Sequence, residues 1–172
     1  MNSKTKAVTG AAALLAAAAL PLAAGVASAN PSDTPCGPAD LTVSVTADPS
    51  SSAGQEAYVI RYDAAGQNTN CRLEGVPTAV TFTKGSGHGE GDGSGIEVVP
   101  DAPQADPVPV NVRPGHSAQS RILMSSQDPV TFVPDVVNLN LPTTDGYTVT
   151  VPWPAGGPLK GESVEVTAVS AV

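Results

Sequence analysis

The sequence predicts an all-β domain, an antiparallel immunoglobulin-like β-sandwich. Past residue 30, apolar side chains recur at every second position in short runs, the period of half-buried strands. Turn-forming residues interrupt those runs every 8 to 15 positions. No segment of that region sustains a 3.6-residue period, so helices are not expected there. Eight or nine strands result, which suits a sandwich, with a closed barrel as the alternative.

In chain order, the first segment is of another kind. Lys4 and Lys6 form a positive region, residues 11–20 are an unbroken Ala/Leu run, and Ala27-Ser28-Ala29 is a small-x-small cleavage site. That is a signal-peptide pattern over residues 1–29, expected as a helix ahead of the sandwich, with the mature chain starting at Asn30. An uncleaved anchor is the competing reading, but the stretch is mostly Ala and is broken by Pro21 and Gly25. There is no Cys at the cleavage site and no arginine pair before the apolar run, so the general secretion route is expected.

Residues 30–35 form an irregular Pro/Ser/Asp lead, and residues 36–172 a single domain. Leu41, Val43, Val45 and Ala47 share one face of the first strand. After a turn cluster at 48–54, Tyr58, Ile60 and Tyr62 point inward while Val59 and Arg61 point outward. A loop at 64–68 leads to Cys71 and Leu73, inward, with Arg72 and Glu74 outward. Val80 and Phe82 follow as the inward pair of a fourth strand. Residues 85–95 carry Gly at every second position and offer too little apolar area to offset the entropy of ordering, so a surface loop is expected. Residues 96–99 make a short pairing segment, and Pro100, Pro103, Pro107 and Pro109 favour an extended, edge-like stretch.

Val108, Val110 and Val112 then alternate with Asn111 and Arg113. Pro114-Gly115 suits a type II turn, in which Pro fixes φ and Gly supplies the positive φ. The strand over 117–125 places Ala118, Ile122 and Met124 on one face. Val137, Leu139 and Leu141 form the next inward set, and Tyr147, Val149 and Val151 another after the Asp145-Gly146 turn. Val164, Val166 and Ala168 close the sheet, with Glu165 and Thr167 outward.

Without Lys4 and Lys6, six basic residues face sixteen acidic ones, a net charge of −10. Such a surface repels nucleic acid and anionic lipid, so neither is an expected partner, and no membrane contact is expected after signal cleavage. Two cysteines in an exported chain suggest one disulfide, Cys36 to Cys71.

The residues resemble a known family in two places. Asn68-Thr69-Asn70-Cys71-Arg72-Leu73-Glu74-Gly75-Val76-Pro77 matches its Cys-x-Leu-x-Gly-aromatic-Pro pattern, with Val76 where Tyr or Phe is usual. Pro114, Gly115, Ser117 and Ala118 match its Pro-Gly-x-Ser-Ala turn. The chain thus resembles the secreted actinobacterial family called domain of unknown function 4232, over about residues 36–151. The resemblance implies a small β-sandwich exported to the envelope or medium, and no activity. Members often carry a second cysteine pair in the C-terminal half, which this chain lacks.

No catalytic, cofactor-binding or metal-ligating set is assigned. No Gly-x-Ser-x-Gly elbow occurs, and His116 reads as a solvated turn residue. His88, Glu90 and Asp92 alternate among glycines that would be costly to order around a metal. The glycine run does not fit a dinucleotide or phosphate loop. Leu141-Pro142-Thr143-Thr144-Asp145 reads as a strand end and turn rather than a wall-sorting signal. Trp153, held between Pro152 and Pro154 beside Gly156-Gly157, is a candidate surface contact; the competing and preferred expectation is a plug over the open end of the sandwich.

The function expected is that of a secreted, non-enzymatic domain, a binding or structural component of the envelope or medium, with an extracellular or cell-wall partner. An extracellular hydrolase with an unrecognised site is the alternative. A protease-inhibitor-like protein presenting the Trp153 loop is another.

Overall fold

The computed structural model describes residues 33–49, 52, 54–85, 95–100 and 107–172. The expected signal helix over 1–29, residues 30–32 of the lead, and His88, Glu90 and Asp92 lie outside the described residues.

The described residues form one 3₁₀ turn, Pro38–Asp40, and thirteen short strands. In order these are β1 (Leu41–Ala47), β2 (Gln55–Ala64), β3 (Cys71–Leu73), β4 (Thr78–Thr83), β5 (Glu97–Pro100), β6 (Val110–Val112) and β7 (Ala118–Ser125). They continue with β8 (Val130–Phe132), β9 (Val136–Asn140), β10 (Thr148–Pro152), β11 (Leu159–Lys160), β12 (Ser163–Val166) and β13 (Ser170–Ala171). The number exceeds the expected eight or nine because pieces such as β11 and β13, two residues each, are too short to display a period of two.

The largest sheet runs β1-β2-β7-β12-β5, and β13 pairs with β7 beyond β12. Its centre is the β2–β7 ladder, where Tyr58 faces Ile122, Ile60 faces Ser120 and Tyr62 faces Ala118. A second sheet runs β10-β9-β4, and the β3–β6 pair adjoins it through a Glu74 N–H donated to the Pro142 carbonyl at 2.7 Å. Ile60, Tyr62, Ile122 and Val166 from one layer meet Phe82, Val137, Leu139 and Leu73 from the other in a shared core. The alternation predicted these inward residues because burying one face of each strand against another layer is what holds a sandwich together.

Among the described strands, the antiparallel sandwich contains one parallel pair, β5 beside β12 with Val98 opposite Val164. The long stretch of chain between them returns through the second sheet, as a parallel pair requires a crossover. Three side-chain expectations need correction. Val108 is 70% exposed, because β6 begins only at Val110, beyond Pro109, which has no N–H for a ladder. Tyr147 is 47% exposed rather than inward: it precedes β10, past the last ladder pair Thr148–Asn140, where strand parity no longer applies. Ala168 does not continue the β12 alternation. The chain breaks step at Thr167, whose N–H donates to the Arg121 carbonyl and whose hydroxyl accepts the Arg121 N–H, and Val169 is buried instead.

Candidate functional site

The two segments that carry the family resemblance have different roles. The first is structural. Cys36 and Cys71 form a disulfide, and both are buried. Around it, Cys36 N–H donates to the Arg72 carbonyl at 3.0 Å and Arg72 N–H to the Thr34 carbonyl at 2.8 Å, so the lead is added beside β3 as a short parallel bridge. Gly75 has φ +92°, a backbone state that strains any residue with a Cβ, which accounts for Gly at that motif position.

Trp153 is not a surface contact. It is 5% exposed, with its ring centroid 4.3 Å from that of Tyr58 and edge-on to Phe82 at 5.5 Å. Its indole N–H donates to the Gly157 carbonyl at 2.9 Å, and the Tyr58 hydroxyl donates to the Pro158 carbonyl at 3.2 Å. A buried indole needs such an acceptor, and the Gly156-Gly157 loop folds back to supply it. Trp153 therefore closes the end of the core, and it cannot be the side chain that an inhibitory loop presents. Burial, and then the Glu56 carboxylate, push the Tyr58 hydroxyl above its ordinary range. Glu56 itself accepts from Lys160 Nζ at 2.6 Å.

The second segment shapes a cleft. Pro114-Gly115 joins β6 to β7 in a tight hairpin, with Gly115 at φ +78° and reciprocal backbone bonds between Arg113 and His116 of 3.1 and 2.8 Å. The turn delivers Ser117 beside Asp63 at the end of β2. Ser117 Oγ donates to Asp63 Oδ1 and accepts from Arg61 Nη2 at 3.1 Å, while Arg61 Nε spans both Asp63 oxygens at 3.0 and 3.1 Å. A cleft of about 420 Å³ opens there between the hairpin and the loop after β2, lined by Arg61, Asp63, Gly66, Gln67, Arg113 and Ser117 among others. The loop wall is internally bonded: Ala65 N–H donates to the Asp40 carbonyl at 2.8 Å, and Gly66 N–H to Thr69 Oγ1 at 3.2 Å.

Local pattern marks Ser117 as a turn residue that opens the strand over 117–125, and Arg61 and Arg113 as alternating strand positions, without joining them to Asp63. The available signal was the outward Arg-x-Asp pair on a strand. What sequence lacked was the β2–β7 register, with Tyr62 opposite Ala118, which brings Ser117 to Asp63.

Chemically, the cluster is a hydrogen-bonded clamp that ties the turn to the end of β2. The Ser117 proton goes to a carboxylate that an arginine already holds, and His116 is exposed in the turn. Among the described residues, no group of three or more His, Cys, Asp or Glu could hold a metal ion, and no helix is long and apolar enough to cross a membrane.

Neither a curated protein nor a solved structure matches the chain. A family described as "Domain of unknown function (DUF4232)" matches it over residues 36–170, from the first cysteine to the start of β13. That span takes in both motif segments and well over half of the 172 residues, so the chain belongs to the DUF4232 family.

Proposed function

We propose that the chain is exported by the general secretion route, cleaved after Ala29, and acts outside the membrane as a non-enzymatic binding module of the cell envelope or medium. The signal-like segment, the Cys36–Cys71 disulfide and the acidic surface all fit that compartment. An actinobacterial source goes with the family resemblance. The partner is extracellular or wall-borne material, and nucleic acid is disfavoured by the charge balance.

The observation that carries the binding reading is the cleft at the β6–β7 hairpin. Its walls are held by their own hydrogen bonds, and its one lining hydroxyl is committed to the Arg61–Asp63 pair. A pre-organised cleft loses little entropy on binding. The test has two arms. Mass spectrometry of the exported protein should find a chain starting at Asn30. Incubation of that protein with cell-wall material and with secreted proteins should retain or recover a partner without turnover. Recovery of nothing from either source counts against the reading, and a chain that retains residues 1–29 counts against export by cleavage.

A further inference from the structure

We propose that the hairpin-end cleft binds a monocarboxylate, in the form of the free C-terminal carboxylate of a short peptide, and that Arg113 is the residue that holds it. The proposal rests on the binding reading and deepens it by naming the ligand class.

Arg113 stands apart from the other basic residues of the domain. Arg61 pairs with Asp63, Arg72 with Glu74, Lys84 with Asp135, Arg121 with Asp48 and Lys160 with Glu56. Among the described residues, Arg113 alone of these six has no ion-pair partner. It is nevertheless half-buried, and it lines a cleft rather than projecting from an open face.

The charge around it is inverted relative to the molecule. Among the described residues, the cleft is lined by two arginines and one aspartate, a local balance of +1, whereas residues 30–172 carry −10. A monoanion neutralises that balance. A phosphate monoester dianion would leave an uncompensated negative charge beside Asp63. The guanidinium fork matches the two oxygens of a carboxylate in a bidentate pair.

Position and size agree with this assignment. The Arg113 backbone is fixed at the hairpin neck by its two bonds to His116, so the side chain starts from a set point. Facing it, the loop after β2 is held by Thr69 and Asp40. A volume of about 420 Å³ lies at the small end of the range of small-molecule sites, roughly 300–1,000 Å³. It can take the last residues of a peptide with the carboxylate against Arg113.

The experiment is an amide-shift NMR titration of the purified protein with N-acetyl-alanyl-alanine, with its C-terminal amide, and with methyl phosphate. The acid should give saturable shifts at Gly66, Gly115 and Ser117. The amide should bind about tenfold or more weakly, the scale of losing a charge-assisted pair. Arg113→Gln, at a position with no partner to lose, should fold with an unchanged melting temperature and weaken the acid by about the same factor. Equal binding of acid and amide overturns the proposal, as does unchanged binding in Arg113→Gln, or methyl phosphate binding as tightly as the acid. Retention on cell-wall material is measured alongside. If the acid fails while the wild-type protein is retained, the ligand class is wrong and the binding reading stands. If both fail, both are wrong.

Discussion

Gly157 is the residue on which the buried tryptophan depends. A Cβ built there would lie 2.8 Å from the Tyr58 hydroxyl, 2.9 Å from the Trp153 indole nitrogen and 3.0 Å from the Pro154 carbonyl. Neither ring can move away, since Trp153 is packed on Tyr58 and Phe82. Gly157→Ala should therefore cost about 1–3 kcal/mol by overpacking and shift the emission of Trp153, the chain's only tryptophan. Gly156 is the control: it has φ +73° and open space around it, so Gly156→Ala should cost about 1–2 kcal/mol of backbone strain with the emission unchanged. Denaturant melts followed by fluorescence measure both, and an unmoved emission in Gly157→Ala would contradict the contact. Tyr62 supplies a pH prediction. It is fully buried, and although Ser120 lies close enough to favour the phenolate slightly, neither hydroxyl makes a regular hydrogen bond. Burial dominates and raises the phenol well above its ordinary 10.0. Above that value the unfolded chain releases a proton that the folded chain keeps, so the folded state binds more protons and stability falls as pH rises. Below pH 10.0 the contribution is fully present. Tyr62→Phe should flatten this alkaline fall without abolishing it, because Tyr58 shifts in the same direction. Near neutral pH it should change stability by less than about 1 kcal/mol, since the hydroxyl it removes has no partner. Urea unfolding across the alkaline range reads both, and an unaltered slope would count against Tyr62 as the group responsible.

At the scale of elements, the staple and the sheet edges differ in how far sequence revealed them. Strands β1, β2, β7 and β9 are long enough to show alternation, and their buried faces match the reading at Leu41, Ile60, Ile122 and Leu139. The parallel placement of β5 was not legible, because strand direction depends on how distant segments meet rather than on local period. Trp153 was ambiguous for a related reason: flanking prolines fix its backbone, but burial depends on a core end formed by Tyr58 and Phe82, far away in sequence. The candidate cleft was the least legible part, since it exists only through the β2–β7 register. The cysteine pair was legible, and the structure adds what the bond does. It fastens the segment at Pro35 and Cys36 to β3, which otherwise pairs only with β6 over three residues. With a separation of 35 residues, the bond should contribute about 4 kcal/mol in the chain-entropy description. Cys71→Ala should lower stability by a few kcal/mol and make the variant's melt insensitive to reductant, whereas the oxidised wild-type melt should fall on reduction. An equal melting temperature for the variant and the oxidised wild type would show that the staple is dispensable.

For the whole molecule, the acidic balance, together with the pairing of five of the six cations among the described residues, leaves little attraction for anions except at one end. An apolar groove beside β13 is lined by Val108, Val169 and Val172, whereas the hairpin-end cleft combines fixed walls with an arginine that has no ion-pair partner among the described residues. The proposed binding therefore falls at that end of the sandwich. Hydrogen–deuterium exchange of the protein, free and bound to cell-wall material, tests this most directly. The account predicts that binding protects amides in residues 61–67 and 113–117 and leaves the outward faces of β1 and β10 unchanged. Protection confined to a sheet edge, to the groove beside β13, or absent altogether would contradict it.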